Sequence, residues 1–200
     1  MIDRNETYEF ENYTYKNYIN LTNSEKQMIL DWRNHSSNRK WMFNQSFIFI
    51  NDHLKFIENL ENNSESFYWL VSKNKTPIGG VNLIHIQNDS KSAEIGYFLD
   101  PDKQGGGLGL DFVFTSLSFA FDVLGFQIIQ GNVMNDNITA YLLDAFMGFK
   151  YKKEYFINID GVDVKFHYCE LTKDDFYKNI EIKSNTDYFI KFYKKNKHGN

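Results

Sequence analysis

Four glycines lie close together in the segment Gln104-Gly105-Gly106-Gly107-Leu108-Gly109. The segment follows a predicted strand that ends near Leu99 and precedes a long apolar stretch that is helical by length and period. Glycines at such a junction let several backbone N–H groups point into one concavity, and a helix N-terminus adds partial positive charge. The position therefore predicts a binding site for phosphate oxygens. The glycines alone leave a flexible connection open as the alternative.

Two common phosphate-binding loops do not fit this segment. The Lys-Ser/Thr pair of a nucleotide-binding P-loop does not follow the glycines, and the acidic residue that a dinucleotide site needs after a second parallel strand is absent. A net charge of −4 over 200 residues also argues against a polyanion-binding surface. Nucleic acid is therefore not the expected partner.

The hydrophobic pattern predicts an α+β chain. Alternating aromatics from Tyr8 to Tyr18 indicate one or two early strands. A capping box at Ser24 and Gln27 predicts a helix that ends near Asn34-His35, and Asp160-Gly161 indicates a two-residue hairpin. Further strands are expected at 67–72, 78–86, 93–99, 127–133, 149–159 and 162–171, and further helices from about 51 to 60, at 108–126, and at 138–147 before Gly148.

The length predicts one domain, residues 1–171, followed by a C-terminal helical extension, residues 172–200. Cys169 is the single cysteine, so neither an intrachain disulfide nor a cysteine-based metal cluster can form, and no metal is expected. This suits a reducing compartment, the cytoplasm. No signal peptide and no membrane span are expected, because no run of about 18 apolar residues occurs.

The glycine segment resembles a known signature. Gln104-x-x-Gly107-x-Gly109 is similar to the Q/R-x-x-G-x-G/A motif of the GNAT N-acetyltransferase family. The strand at 93–101 resembles that family's fourth strand, and Asn137-x-x-Ala140 with Gly148 resembles its fourth helix and exit. The resemblance covers about residues 67 to 171. It implies a GNAT fold, α+β or α/β by some schemes, with a central mixed, mostly antiparallel sheet flanked by helices.

The resemblance also implies that acetyl-CoA is the cofactor and donates its acetyl group directly to an amine. It assigns the donor side to these residues: Phe98, Leu99, Gln104, Gly105, Gly106, Gly107, Leu108, Gly109 and Asn137.

The N-terminal third carries a narrower resemblance. The stretches 32–35, 39–45 and 53–57 are similar to acetyltransferases of pseudaminic acid biosynthesis, which act on the 4-amino group of a UDP-linked 4-amino-4,6-dideoxy sugar. The implied acceptor residues are Arg33, His35, Arg39, Trp41, Met42, Phe43, His53 and Phe56. Arginines pair well with a diphosphate, and aromatic side chains enclose a uracil and the methyl face of a deoxysugar.

Several alternatives stay open. Trp32 and Met42 fit ordinary core packing, His35 fits a helix cap, and His53 fits plain surface. The arginines fit surface ion pairs. The acceptor alternatives are a protein N-terminus, a ribosomal protein or a polyamine, and a non-catalytic acetyl-CoA-binding protein is a third class. A homodimer is a possible assembly.

Direct transfer needs a base for the amine and an acid for the leaving thiolate. Glu94 lies on the strand before the glycines and is the candidate base, with a structural carboxylate as the alternative. The family's usual tyrosine position is occupied by Asp144, so Tyr141, three residues earlier on the same helical face, is the candidate acid. Core packing of Tyr141 and unassisted thiolate departure remain the alternatives. Cys169 is expected to be inert packing.

Overall fold

The computed structural model of the protein describes residues 2–159 and 161–178, so the proposed helices beyond Lys178 and the residue Asp160 of the predicted hairpin lie outside the described residues. The strands are β1 Thr7–Phe10, β2 Tyr13–Asn17, β3 Phe67–Lys73, β4 Thr76–Gln87, β5 Ser92–Leu99, β6 Ile128–Met134, β7 Lys150–Ile159 and β8 Val162–Thr172. The helices are α1 Asn23–Asn34, α2 Ser36–Arg39, α3 Ile50–Leu60, α4 Leu108–Ser118, α5 Ile138–Met147 and α6 Lys173–Lys178.

Backbone pairing connects these strands in the order β1-β2-β3-β4-β5-β6-β8-β7. The pairs β1–β2, β2–β3, β3–β4, β6–β8 and β7–β8 are antiparallel. The pair β5–β6 is parallel and covers Ser92–Glu94 against Ile128–Gln130. The predicted mixed, mostly antiparallel sheet with flanking helices is confirmed.

The chain divides into two compact units. The first contains the described residues up to Gln87 together with Ile95–Gly106, and the second contains Asn88–Glu94 together with the described residues from Gly107 onward. Strand β5 thus contributes its first three residues to one unit and its last five to the other.

Each unit has its own apolar core. A buried cluster in the first unit consists of Tyr18, Leu21, Ile29, Ile57, Leu60 and Leu70, with Trp32 and Phe98 among the partly buried side chains packed against it. Fully or nearly fully buried side chains of the second unit include Phe112, Leu117, Phe119, Phe121, Ile129, Leu171 and Phe176. Trp32 therefore packs against the core, which agrees with the core-packing alternative predicted for it.

Helix α1 begins with a capping box, but not at the predicted residues. The hydroxyl of Thr22 accepts a hydrogen bond from the backbone N–H of Glu25, and the Glu25 carboxylate accepts one from the backbone N–H of Thr22. The predicted pair, Ser24 and Gln27, has the same spacing one half-turn later and lies inside the helix. The prediction of the first residue was therefore wrong, while the predicted end at Asn34 is confirmed.

The capping box gives a test of stability. We expect Thr22→Ala to lower the free energy of unfolding by about 1 kcal/mol, because the first-turn N–H of Glu25 loses its acceptor. Urea denaturation measures the change. Ser64→Ala, which removes an exposed hydroxyl outside α1, serves as the control, and equal losses in the two variants would contradict the role of Thr22.

The long helix predicted at 108–126 is confirmed as a helical segment that ends at Leu124-Gly125, but its second half is not regular α-helix. Regular α-helix ends at Ser118, and Phe119–Val123 forms one turn of π-helix whose Leu124 N–H donates to the Phe119 carbonyl at 3.1 Å. Gly125, with φ at 80°, then ends the helix. None of the helices in the described part of the chain combines the length and apolarity needed to span a membrane.

Candidate active site

The glycine loop connects a 3-10 turn, Pro101–Lys103, to helix α4. Gly105 and Gly107 adopt φ of 85° and 86°, the left-handed region that favours glycine. Gly107 is the residue before α4 and provides no side-chain cap; its carbonyl accepts from the Leu110 N–H at 3.3 Å, which leaves the N–H groups of Leu108 and Gly109 for a ligand. A Cβ atom built at Gly105 or Gly106 meets no described atom within 4 Å. The loop therefore fits the phosphates of a coenzyme, with exposed N–H groups and open space beside them.

The segment before the loop is held firmly. Asp100 is buried, its backbone N–H donates to the Ile78 carbonyl at 2.8 Å, and its carboxylate accepts from the backbone N–H of Asp102 at 3.1 Å. The Lys103 ammonium pairs with the second carboxylate oxygen of Asp100. These bonds fix the backbone up to the residue before Gln104.

One side chain that sequence reasoning missed connects three elements of the first unit. The Asn38 amide nitrogen donates to the carbonyls of Trp32, at 2.8 Å, and Leu99, at 2.9 Å, and its oxygen accepts from the Gln104 side chain at 2.7 Å. No local sequence pattern reveals such contacts, because Leu99 and Gln104 lie 61 and 66 residues away along the chain.

Arg33 is a half-buried cation on the last turn of α1. Its Nη2 donates to the backbone carbonyl of Asn44, and its Nη1 is buried without a hydrogen-bond partner among the described residues. Burial lowers the pKa of the Arg33 guanidinium, and the positive charge of Arg39 lowers it further, while Tyr18 acts in the opposite direction. Positive charge is thus concentrated at Arg33 and Arg39, which favours an anion there.

His53 is buried at 5% exposure, so the interpretation of His53 as plain surface was wrong. Its ring lies edge-on to Tyr18 and stacks on Phe56, both with centroids 6.4 Å apart. Desolvation lowers the pKa of His53, which favours a neutral imidazole at pH 7. Phe56 also packs edge-on against Tyr68, at 5.0 Å, and keeps part of its ring exposed.

The other residues predicted for the acceptor side lie between α1 and α3. His35 caps α2 by accepting from the Ser37 backbone N–H, which agrees with the helix-cap alternative. Trp41 and Met42 are half-buried, the Lys40 ammonium lies 4.8 Å from the Trp41 ring centroid, and Phe43 is exposed. An aromatic surface with cationic neighbours therefore exists in this segment.

Glu94 lies on β5 in the second unit, on the same sheet face as Gln130 and Glu170. It pairs in register with Gln130, which pairs with Glu170 on β8. Burial raises the pKa of Tyr155, and the negative charge of Glu94 raises it further. For Tyr168, burial and the hydrogen bond to Glu170 raise the pKa first, and Glu94 adds to them. Glu94 is thus close to two hydroxyl groups and only half-buried.

Tyr141 lies on the opposite face of the same sheet. Side chains alternate along β6, and α5 approaches the face of Gly131 rather than that of Gln130, since Asp144 lies 3.7 Å from a Cβ built at Gly131. The Tyr141 ring is 40% exposed and lies 5.3 Å from the His167 ring. An exposed side chain does not fit core packing, which was the alternative role for Tyr141. Glu94 and Tyr141 are not brought into contact.

Four polar or reactive side chains line one cavity beside α5: Tyr141, Asp144, His167 and Cys169. Asp144 is 5% exposed, and the Cys169 thiol donates to the Gly131 carbonyl at 3.4 Å. Burial, reinforced by the charge of Asp144, raises the pKa of Cys169 to about 12, which keeps the thiol neutral. His167 donates from Nε2 to the side-chain oxygen of Asn135 at 3.0 Å, while its buried Nδ1 has no partner in the described chain. Sequence reasoning assigned no role to His167.

Asn137 precedes α5 and caps it. Its side-chain oxygen accepts from the Ala140 backbone N–H at 3.2 Å, and its backbone carbonyl accepts from the N–H of Tyr141 at 3.0 Å. Gly148, with φ at 98°, ends the helix as predicted. The motif Asn137-x-x-Ala140 therefore has a clear structural reason, which is to set where α5 begins and how Tyr141 is presented.

Comparison with known proteins identifies the class to which this loop and sheet belong. The sequence matches the acetyltransferase (GNAT) domain family over residues 9–142. The chain belongs to the GNAT acetyltransferase family, and it is an acyl-CoA-dependent N-acetyltransferase whose cofactor is acetyl-CoA.

Among curated relatives, the chain is 31% identical over 153 residues to the acetyltransferase PseH of Campylobacter jejuni, which covers 76% of this chain and 89% of that protein. It is also 29% identical over 120 residues to a spermidine N(1)-acetyltransferase of Vibrio cholerae, covering 58% of this chain and 69% of that protein.

Solved structures agree on the fold. A spermidine N-acetyltransferase from Vibrio cholerae in complex with CoA and spermine has a TM-score of 0.74 at 19% identity, covering 83% of this chain and 98% of that one. Campylobacter jejuni PseH has a TM-score of 0.62 at 21% identity, covering 82% and 99%.

Proposed function

We propose that the protein transfers the acetyl group of acetyl-CoA to the 4-amino group of a UDP-linked 4-amino-4,6-dideoxy sugar, in sugar biosynthesis of the pseudaminic acid type. The likeness to PseH over most of the chain supports this acceptor. Acetyl-CoA supplies an acetyl group activated as a thioester, and the acceptor supplies the amine.

The observation that carries the proposal is the charge of the acceptor segment. Residues 32–57, which include all three predicted acceptor stretches, contain the cations Arg33, Arg39, Lys40 and Lys55 and one carboxylate, Asp52. Burial and the charge of Arg39 both disfavour the cationic form of Arg33, so an anion beside the two guanidinium groups relieves an unfavourable arrangement. The diphosphate of a nucleotide sugar supplies that anion and pairs with guanidinium groups through two parallel hydrogen bonds.

A polyamine is the second candidate, because relatives and structural neighbours include spermidine acetyltransferases. A polyamine carries several positive charges, and its recognition needs carboxylates in the acceptor segment. The excess of cations over carboxylates in residues 32–57 therefore favours the nucleotide sugar.

Two residues of the second unit are proposed to move protons. Glu94 takes a proton from the protonated amine of the acceptor, directly or through a water, which leaves the nitrogen lone pair free to attack the acetyl carbon. Tyr141 donates a proton to the sulfur that leaves.

The decisive assay offers the protein acetyl-CoA with one amine at a time and measures release of free thiol. The panel contains UDP- and dTDP-linked 4-amino sugars, spermidine, and a peptide with a free N-terminus. We expect turnover with a UDP-linked 4-amino-4,6-dideoxy sugar. Turnover with spermidine alone would replace this proposal by the polyamine function, and binding of acetyl-CoA without turnover of any amine would favour a non-catalytic role.

Arg33 provides a separate test of the acceptor. Arg33→Ala is expected to raise the KM for the nucleotide sugar about 10-fold or more, because a charge-assisted contact to the diphosphate is lost, while the Kd for acetyl-CoA stays unchanged. Steady-state kinetics and calorimetry measure the two constants. Lys55→Ala, which removes an exposed positive charge from α3, is the control for net charge. A parallel loss of affinity for both substrates in Arg33→Ala would show that Arg33 is structural.

A further inference from the structure

Asn38 is one of the few buried polar side chains of the first unit, with 5% exposure. Its amide nitrogen donates to Trp32 and Leu99, and its oxygen accepts from Gln104. Both amide protons and one oxygen lone pair of Asn38 therefore form hydrogen bonds, and the three partners lie on different elements. A buried amide with complete pairing of this kind fixes the geometry of its partners, because any displacement leaves a desolvated group unpaired.

The partners of Asn38 lie directly before the glycine loop. The peptide group between Leu99 and Asp100 is held on both sides, since its carbonyl accepts from Asn38 and its N–H donates to Ile78. Asp100 then holds Asp102 and Lys103, and the side chain of Gln104 is the last fixed group before Gly105, which begins the segment with positive φ. Asn38 therefore holds Gln104, the last residue of the loop before its glycines.

We propose that Asn38 is a positioning residue for the acetyl donor, acting through Leu99 and Gln104 rather than by contact with acetyl-CoA. Glycine-rich segments lose much conformational entropy on ordering, so an anchor at their first residue lowers the cost of binding. The same amide holds the carbonyl of Trp32, next to Arg33, and thereby connects the helix of the proposed acceptor site to the donor loop. The donor role does not depend on which amine is acetylated.

The test measures the affinity for acetyl-CoA in variants of Asn38 by calorimetry. Asn38→Ala is expected to raise the Kd for acetyl-CoA about 10-fold, the loss that two hydrogen bonds of typical net strength produce. Asn38→Asp keeps the size and the acceptor for Gln104 but turns both donors into acceptors that face carbonyl groups, so we expect a loss at least as large. Thermal unfolding is recorded in parallel.

Asn34 offers a matched control in the same unit. Its amide nitrogen donates to the Ile48 carbonyl at 2.8 Å, and its oxygen accepts from the Ile48 N–H at 3.0 Å. Asn34→Ala removes as many backbone hydrogen bonds as Asn38→Ala but none to the donor loop. We expect a similar decrease in the unfolding midpoint and an unchanged Kd for acetyl-CoA.

The variant Gln104→Met separates positioning from a general loss of stability. Gln104 is exposed, so the variant folds, and it lacks only the amide that donates to Asn38 at 2.7 Å and, more weakly, to the Leu99 carbonyl at 3.5 Å. We expect a Kd about 5-fold higher. In the double variant, the effect of Gln104→Met should nearly vanish, because its partner is already absent. An unchanged Kd in Gln104→Met, or independent effects in the double variant, would overturn the proposal even if Asn38→Ala fails to fold.

Discussion

Gly107→Val is expected to abolish measurable binding of acetyl-CoA in a chain that still folds. Gly107 has φ at 86° and ψ at −9°, a conformation that a β-branched residue adopts only at a large cost. Its position before α4 also places any added side chain beside the first N–H groups of the helix, where a phosphate approaches. Calorimetry with acetyl-CoA and with desacetyl coenzyme A measures the loss.

Backbone strain alone is controlled by Gly125→Val. Gly125 has φ at 80° and lies at the far end of the same helical segment, with no described atom within 4 Å of an added Cβ. The two variants carry similar strain, so we expect similar losses of stability but a normal Kd only in Gly125→Val. Normal affinity in a folded Gly107→Val would remove the glycine loop from the donor site.

The second large effect concerns the leaving group. Tyr141→Phe keeps the aromatic ring beside His167 and removes only the hydroxyl, so kcat should fall about 100-fold while KM for both substrates changes little. Steady-state rates between pH 6 and pH 10 test both expectations.

Two neighbours serve as comparisons for Tyr141→Phe. Asp144→Asn should have a mild effect, because the proposal assigns the acid to Tyr141 and the amide keeps the size of the buried carboxylate. His167→Gln tests the remaining candidate in the same cavity, whose Nδ1 has no partner among the described residues. Full activity of Tyr141→Phe at every pH, with a 100-fold loss in His167→Gln, would transfer the role of the acid to His167.

Much of the fold was predictable because local signals agree with one another. Helix α5 has the predicted bounds, since Asn137 caps its start and Gly148 ends it. The capping box of α1 was placed two residues too late because Ser24 and Gln27 share the spacing of Thr22 and Glu25, and periodicity does not fix the first residue. The π-helical turn after Ser118 carries no distinct pattern in an apolar segment.

The site was predictable where a motif lies within a few residues. The loop from Gln104 to Gly109 has the geometry that its glycines indicated. Asn38 was missed because its contacts depend on residues more than 60 positions away, which only the folded chain brings together. The burial of His53 was missed for a similar reason, because the ring of Tyr18 that covers it comes from a different element.

The neutral, buried thiol of Cys169 makes this chain convenient for site-directed labelling. Because the chain has one cysteine and its pKa is about 12, maleimides and iodoacetamides meet almost no thiolate at neutral pH. Gly106 is exposed, has no positive φ and has open space around its Cβ position, so Gly106→Cys introduces a single reactive thiol in the donor loop. With a fluorescent alkylating reagent, the alkylation rate of that thiol then reports whether the donor site is occupied. The native cysteine does not have to be removed for this measurement.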